Sequence, residues 1–541
     1  MGTSLFELYL AVQLFTSLRE KLPETEVEGE ESPLQNAYLW FAGAVNRWLD
    51  IACYKAMHRI KRAIELDQAR QVHTFVNHSS SAVDTVAVFY QIKTFWKQLS
   101  WPDAISSYGF VTKVLDDITR SATFYVAQMH RHLKACGYFC AARPFSFTQE
   151  LCLIHPLPNE LGFETVFSAM EEQLGSQGTI QCRMTLQNVI DQAIEDMEHG
   201  ISDMVDGSVA QMLPQVHSYL SQLTQPHCRL VPADNIISYL DTNLMLLYPR
   251  LHPLNLRRVL ESIWVQVLKT VVDNTTRYSK KETEYFATIS SLVNALVEFI
   301  NGDDKGLAMD AIHTDTYKKF VHWVNIYKCD PERLIAMYYA RKYDLQEELD
   351  ESLHGKLSTK AFFVDNVLRV EVLNARGIRP SDPDTCDAYV KVQILPETLA
   401  PNMEKVQTKV QKKTIFPLFD EVFEFSVDRE RLVARDCHLL FTVKDHHTLV
   451  ESELLGEAVL PLARLQNVAY SQARHVDQQL LSLMPVRMRA EQQEIFRALV
   501  DKSSWSPVAA EFVRKLNKRL RRDSANPGGP TSTISRRLFR S

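Results

Sequence analysis

From the start of the chain to about residue 352, apolar residues recur at spacings of three and four, the period of an amphipathic helix. LFELYLAVQLFTSLREKL forms the first such segment, with Leu5, Leu8, Phe15 and Leu18 on its expected apolar stripe. In AYLWFAGAVNRWLDIACYKAMHRIKRAIELD the stripe runs through Trp40, Val45, Trp48, Ile51, Ala52, Met57, Ile60 and Ile64. Further helices are expected over VDTVAVFYQIKTFWKQL, TLQNVIDQAIEDMEHGISDMV, NLRRVLESIWVQVLKTVVDNT and ETEYFATISSLVNALVEFING. Pro-containing breaks at 155–162 and 225–234 separate them, and Gly302 ends one in the manner of a C-cap.

Near residue 360 the period changes to two. VLRVEVLNARGI, CDAYVKVQIL, KVQTKVQKKTIF, EVFEFSVD, HLLFTVKD and GEAVLPLARL are short, alternating and rich in β-branched residues, with Asp, Pro and Gly turns between them. Such segments predict an antiparallel β-sandwich. A last helical stretch follows to about Arg522, and then the tail SANPGGPTSTISRRLFRS, whose composition predicts no packed structure. The fold class expected is multidomain α plus β: an elongated stack of helical bundles, then the sandwich, then a basic helix.

Composition narrows this little. Hydrophobic residues are 45% and charged residues 23% of the 541, and the formal net charge is −6, which argues against a protein built wholly for nucleic acid. Nine scattered cysteines, an odd number, suit reduced thiols. His130, His132, Cys136 and Cys140 lie close together, but no CxxC or HxxxH spacing completes a zinc site. No apolar run reaches the roughly 20 residues a bilayer span needs, and the first residues lack the basic start and cleavage site of a signal peptide. A cytoplasmic protein, peripheral on the plasma membrane, secretory vesicles or endosomes, is expected. GxSxG, GxxxxGK[ST], HExxH and GxGxxG do not occur, so the chain does not read as an enzyme.

Charge is unevenly placed. In KVQTKVQKK the odd positions Lys405, Gln407, Lys409, Gln411 and Lys413 fall on one strand face, with Lys412 beside them. A cationic row of this kind suits anionic phospholipid, phosphoinositides in particular. EFVRKLNKRLRR places Arg514, Lys515, Lys518 and Arg519 alongside the apolar Phe512, Val513, Leu516 and Leu520, a basic amphipathic helix of membrane-surface type. No aromatic stacking platform accompanies this charge, so nucleic acid is not an expected partner.

The sandwich resembles a C2 domain: VLRVEVLNARGI with DAYVKVQIL is similar to the first strands around that family's first calcium loop, and LLFTVKDHHTLVESELLGEAVLPL to the strands around its third. The resemblance implies a weak Ca²⁺ site at Asp382, Asp387, Asp445 and Glu453. His447 stands where calcium-binding members carry another Asp, and the first loop is one residue short, with Asp384 as a possible substitute. The alternative is a sandwich that engages lipid without calcium. Leu449 and Val450 at the third-loop tip are the expected membrane-inserting pair.

RWLDIACYKAMHRIKRAIELD closely resembles the end of the first homology domain of the Munc-thirteen (unc-thirteen) vesicle-priming proteins. TLQNVIDQAIEDMEHGISDM through SLVNALVEFING is similar to their second homology domain, and AAEFVRKLNKRL to the closing helix of the subgroup holding the BAI-associated protein and the D-type homologue. The division implied is 1–70, end of the first homology domain; 71–180, helical connection; 181–300, second homology domain; 301–360, junction; 361–485, C2 domain; 486–522, basic helix; 523–541, tail. The resemblance implies a tethering and priming factor of regulated exocytosis that assists the assembly of SNARE proteins, syntaxin among them, and leaves room for a small GTPase partner. Family members carry further segments upstream, so the chain reads as a fragment or a short isoform. The other reading is a C2-containing scaffold recruited to membranes that does not act on SNAREs.

Overall fold

The computed structural model describes residues 3–20, 34, 36–66, 79–135, 137, 161–223, 232–248, 253–349, 354–379, 386–400, 405–447 and 452–525. They divide into two compact units, residues 1–274 with 293–314, and residues 275–292 with 315–541.

The first unit is helical: α1 (Thr3–Glu20), α2 (Ala42–Leu66), α3 (Ser80–Leu99), α4 (Ala104–Ala135), α5 (Phe163–Ala210), α6 (Leu213–Gln222), α7 (Pro232–Leu247) and most of α8 (Pro253–Arg277). Ser79 starts α3 by accepting the Ala82 N–H on its hydroxyl, which satisfies one of the donors a helix start leaves open. Gly175, at φ 72° and ψ 167°, breaks α5 into two helical stretches. The second half of α9 (Thr283–Asn301) belongs to this unit, and Gly302 closes it at φ 53°, donating its N–H to Glu298. The breaks expected at 155–162 and 225–234 fall mostly outside the described residues.

Two expected stripes have a different register. In α1 it is Tyr9 that is fully buried, while Leu8, Phe15 and Leu18 are exposed. Tyr9 donates to the Leu99 carbonyl at 2.6 Å and packs among Phe6, Phe41 and Trp101. An aromatic ring that also finds a hydrogen bond takes the interior in place of two leucines and a phenylalanine. In α2 the buried line is Val45, Leu49, Cys53, Ala56, Ile60 and Ile64, and Ile51 is exposed, as is Trp40 in the 3-10 turn at 37–41 that precedes it.

The second unit contains the first half of α9, then α11 (Asp315–Tyr327) and α12 (Pro331–Glu347); the short α10 (Met309–Ile312) precedes them in the first unit. Asp330 caps α12 through the Arg333 N–H, with Pro331 at its first turn. Eight strands follow: β1 (Lys356–Val364), β2 (Val367–Arg376), β3 (Ala388–Leu395), β4 (Val406–Gln407), β5 (Leu418–Ser426), β6 (His438–Asp445), β7 (Glu453–Pro461) and β8 (Gln479–Ser482). They form two four-stranded antiparallel sheets in the orders β5-β2-β1-β8 and β4-β3-β6-β7. Leu357, Phe363, Leu368, Val370, Val390, Val392, Leu439 and Phe441 fill the space between them.

The final helical stretch is two helices, α14 (Ala490–Lys502) and α15 (Pro507–Ala525), with α13 (Arg429–Ala434) lying earlier between β5 and β6. Pro507 lacks the N–H a continuous helix would need, and the Ser506 hydroxyl accepts the Ala509 N–H to start the second one. Two polar groups on α12 bind it to the sandwich: the Gln346 amide exchanges two hydrogen bonds with the Val459 backbone, and Lys342 donates to Glu457 on β7.

Candidate functional site

Strand register builds the expected calcium end. Asp445 ends β6 and pairs directly with Glu453 at the start of β7, and Ala388 pairs with Asp445 from the other side. Carboxylates opposed across an antiparallel pair repel, so a cation between them is stabilising. Asp445, His447 and Glu453 bring ligand atoms within 4.8 Å of one another, the imidazole lying 4.0 Å from Glu453. Asp387 joins through its backbone: its N–H donates to Asp445 Oδ1 at 2.8 Å, and its own Oδ1 accepts the Lys413 N–H at 2.9 Å. Burial and then the Asp445 carboxylate push the Cys386 thiol up to about 12, which registers the negative field there.

Ca²⁺ takes six to eight oxygen ligands. Asp445 and Asp387 each have one oxygen already engaged by an N–H, and His447 offers nitrogen where a carboxylate would suit the ion better. The side chains brought within reach of one ion are Asp445, His447 and Glu453, a donor set poor in carboxylate oxygen for calcium. Asp382, Asp384, Leu449 and Val450 lie outside the described residues.

The lysine row is less regular than alternation implies. Only Val406 and Gln407 pair as strand β4, with an isolated bridge from Gln411 to Ala388 beyond. The alternation persists in burial nonetheless: Lys405, Gln407 and Lys409 are exposed, while Thr408 is buried and its hydroxyl accepts the Val390 N–H. Lys412 and Lys413 are exposed as well, Lys413 in a turn at φ 54°. Two carboxylates from outside the segment adjoin the row: Glu397 meets Lys405 at 3.1 Å, and Glu421 accepts the Lys409 backbone N–H at 2.6 Å.

Helix α15 meets the same carboxylate. Lys515 lies 2.9 Å from the Glu397 oxygen that Lys405 also contacts. Burial would raise the Glu397 pKa, but Lys515 and Lys405 outweigh it and hold the carboxyl below its ordinary range. The remaining basic residues divide. Arg514 pairs with Glu511, Lys518 is exposed, and Arg519 reaches Glu457 at 3.1 Å. The apolar side of α15 is engaged within the protein: Leu516 is buried and Phe512 packs edge-on against Tyr338 of α12. A helix with that face covered has no apolar stripe to lay on a bilayer.

Sequence reasoning missed Glu397, Glu457 and Lys342. No local signal marks them, because Lys342 and Glu457 are 115 residues apart and Glu397 and Lys515 are 118 apart.

Comparison with known proteins matches residues 30–278 to the MUN domain and residues 366–477 to the C2 domain. The chain is 28% identical to protein unc-13 homolog 4B of Drosophila melanogaster over 96% of its own length and 45% of that protein's. It is 25% identical to human BAI1-associated protein 3, covering 97% of this chain and 45% of that one, and 26% identical to human protein unc-13 homolog D, covering 97% and 49%. The chain therefore combines a MUN domain with a C2 domain. Its homologues over almost its whole length are Munc13-family proteins, and it spans about half the length of these relatives. Among the described residues no helix is long and apolar enough to cross a membrane.

Proposed function

We propose that this chain acts in vesicle tethering and priming for regulated exocytosis, promoting SNARE assembly through its helices and binding anionic phospholipid through its C2 domain. The observation that carries the reading is the joining, in one chain, of a MUN match to a C2 sandwich with Lys405, Lys409, Lys412 and Lys413 exposed along one edge. Multivalent anionic headgroups suit such a row, each cation near an acidic surface adding about 1 kcal/mol. Lys515, adjoining Lys405 at Glu397, extends the cationic surface, with Lys518, Arg514 and Arg519 as its neighbours on α15. Ca²⁺ held by Asp382, Asp387, Asp445 and Glu453 adds positive charge at the loop end, where Leu449 and Val450 enter the headgroup layer.

For the helices, exposed Leu8, Leu14, Phe15 and Leu18 of α1 and Ile51 and Tyr54 of α2 favour contact with an amphipathic partner helix, the form in which syntaxin and other SNARE proteins present themselves. No catalysis is required: holding two membrane-bound partners together raises their effective concentration. The division at 70, 180, 300, 360, 485 and 522 belongs to this reading, as does peripheral placement at the plasma membrane, secretory vesicles or endosomes. Flotation with acidic vesicles, run beside a syntaxin pull-down, tests both halves. Retained flotation without syntaxin capture favours a general C2 scaffold, and loss of both removes the reading.

A further inference from the structure

Lys356 opens β1 and Arg376 closes β2, and the two are direct partners in the antiparallel register. Residues so paired share a sheet face with Cβ atoms about 5 Å apart, and like charges placed there destabilise the pair. The flanking pair, Leu357 and Ala375, is buried in the core, so Lys356 and Arg376 project from the outer side. Arg379 follows three residues on, exposed in the connection that leaves β2. Together with Ile378 and Leu480 of β8 they line a cleft of about 500 Å³ that, among the described residues, no carboxylate enters.

None of these three cations meets a carboxylate among the described residues; Arg376 contacts only the Asn374 amide oxygen, at 3.5 Å. The contrast with α15 is instructive, since Arg514, Lys515 and Arg519 are all matched by glutamates. Two glycines shape the cleft. Gly355, at φ 89°, sits so close to the neighbouring turn that a Cβ would fall 2.4 Å from the Arg376 carbonyl oxygen, and Gly377 takes φ 66°. Backbone therefore forms that wall, leaving the space to the long cationic side chains. Leu480, 48% exposed, supplies an apolar lip.

We propose that this cleft binds an inositol ring carrying two or more phosphates, through Lys356, Arg376 and Arg379. Three cations that meet no carboxylate among the described residues, two of them guanidinium groups that hold phosphate oxygens in a fork, around a volume within the range of ligand sites, call for a compact polyanion. The cleft is separate from the Lys405–Lys413 row. It lies where β2 leaves for β3, the end of the sandwich that also carries Asp387, Asp445 and Glu453. The chemistry is shared by a phosphoinositide headgroup in a membrane and by a free inositol phosphate, and only the source differs.

The test uses the full chain with Lys356, Arg376 and Arg379 all changed to Gln, titrated calorimetrically with inositol hexakisphosphate and floated with phosphatidylcholine vesicles containing phosphatidylinositol bisphosphate. Inositol phosphate affinity should fall at least about tenfold, a loss of 1.4 kcal/mol, and by more than in the Lys405/Lys409/Lys413→Glu variant. A matching loss of flotation assigns the membrane headgroup as the source, and flotation left intact assigns the soluble compound. Wild-type affinity in a triple variant that unfolds at the parent midpoint overturns the proposal, as does binding lost only in the lysine-row variant. Should the triple variant not fold, Arg379→Gln, altered at an exposed position, should weaken inositol phosphate binding about fivefold; unchanged affinity there counts against the cleft equally. The site stands or falls without the SNARE reading, because neither readout involves a protein partner.

Discussion

Arg519 of α15 lies 3.1 Å from Oε1 of Glu457 on β7, and Lys342 of α12 donates to the other oxygen of that carboxylate, which is only 2% exposed. Burial would raise the Glu457 pKa, but the two cations hold it below the ordinary carboxylate range. One buried anion thus joins a helix before the sandwich, a strand within it and a helix after it. Glu457→Gln leaves Lys342 buried without its counter-charge and should destabilise this unit by about 3–5 kcal/mol. Replacing all three by Met, Leu and Met should recover most of that loss, because apolar packing then substitutes for the ion triad. Urea unfolding of the three proteins decides the matter, and a Glu457→Gln midpoint equal to the parent's would show the triad to be inert.

Glu397 restrains two lysines at once. Changing Lys405, Lys409 and Lys413 together to Glu should abolish flotation with acidic vesicles, and raising the salt should weaken parental binding through screening. Glu397→Gln should act oppositely and strengthen vesicle binding about fivefold, since Lys405 and Lys515 lose the carboxylate they share. Weaker binding by Glu397→Gln would mean that the pairing positions the lysines instead of occupying them.

For calcium, His447 is the informative position. Calorimetry should show binding only near millimolar Ca²⁺, in the weak range of oxygen-ligand sites. His447→Asp should tighten it about tenfold by exchanging nitrogen for carboxylate oxygen beside Asp445 and Glu453. Asp445→Asn should remove it. Absence of heat in both the parent and His447→Asp would take calcium out of the account.

His438 is a pH lever. It is buried in β6, and burial pushes its imidazole down to about 4 from an ordinary value near 6.5. Between those values the unfolded chain takes up a proton that the native chain does not, so stability falls as pH drops through that window. The contribution is about 3 kcal/mol, fully present above 6.5 and lost by about pH 4. His438→Gln should flatten the pH dependence of the unfolding free energy between pH 6.5 and 4 relative to the parent, and parallel curves for the two proteins would remove this assignment.

Much of the sandwich was legible along the chain. Alternation within VLRVEVL and HLLFTVK follows directly from side chains pointing to opposite faces of a strand, and the exposure of Lys405, Gln407 and Lys409 around the buried Thr408 obeys the same rule, which ends before the turn that holds Lys413. Helix faces were less legible, because several apolar lines wind round each helix and the neighbours choose among them. Tyr9 took the interior position in α1 while Leu8 and Phe15 stayed outside.

By itself the sequence determined where helices give way to strands, which strand positions are apolar, and where cations and carboxylates concentrate, since all of these are short-range properties of the backbone period. Tertiary structure alone decided which charges remain available. The basic helix looked like a free membrane segment until packing set Phe512 against Tyr338 and brought Glu457 and Glu397 to Arg519 and Lys515. It likewise left Lys356, Arg376 and Arg379 together with no carboxylate among the described residues. Electrostatic pairing depends on distance in space, and residues more than a hundred positions apart acquire that distance only when the chain folds.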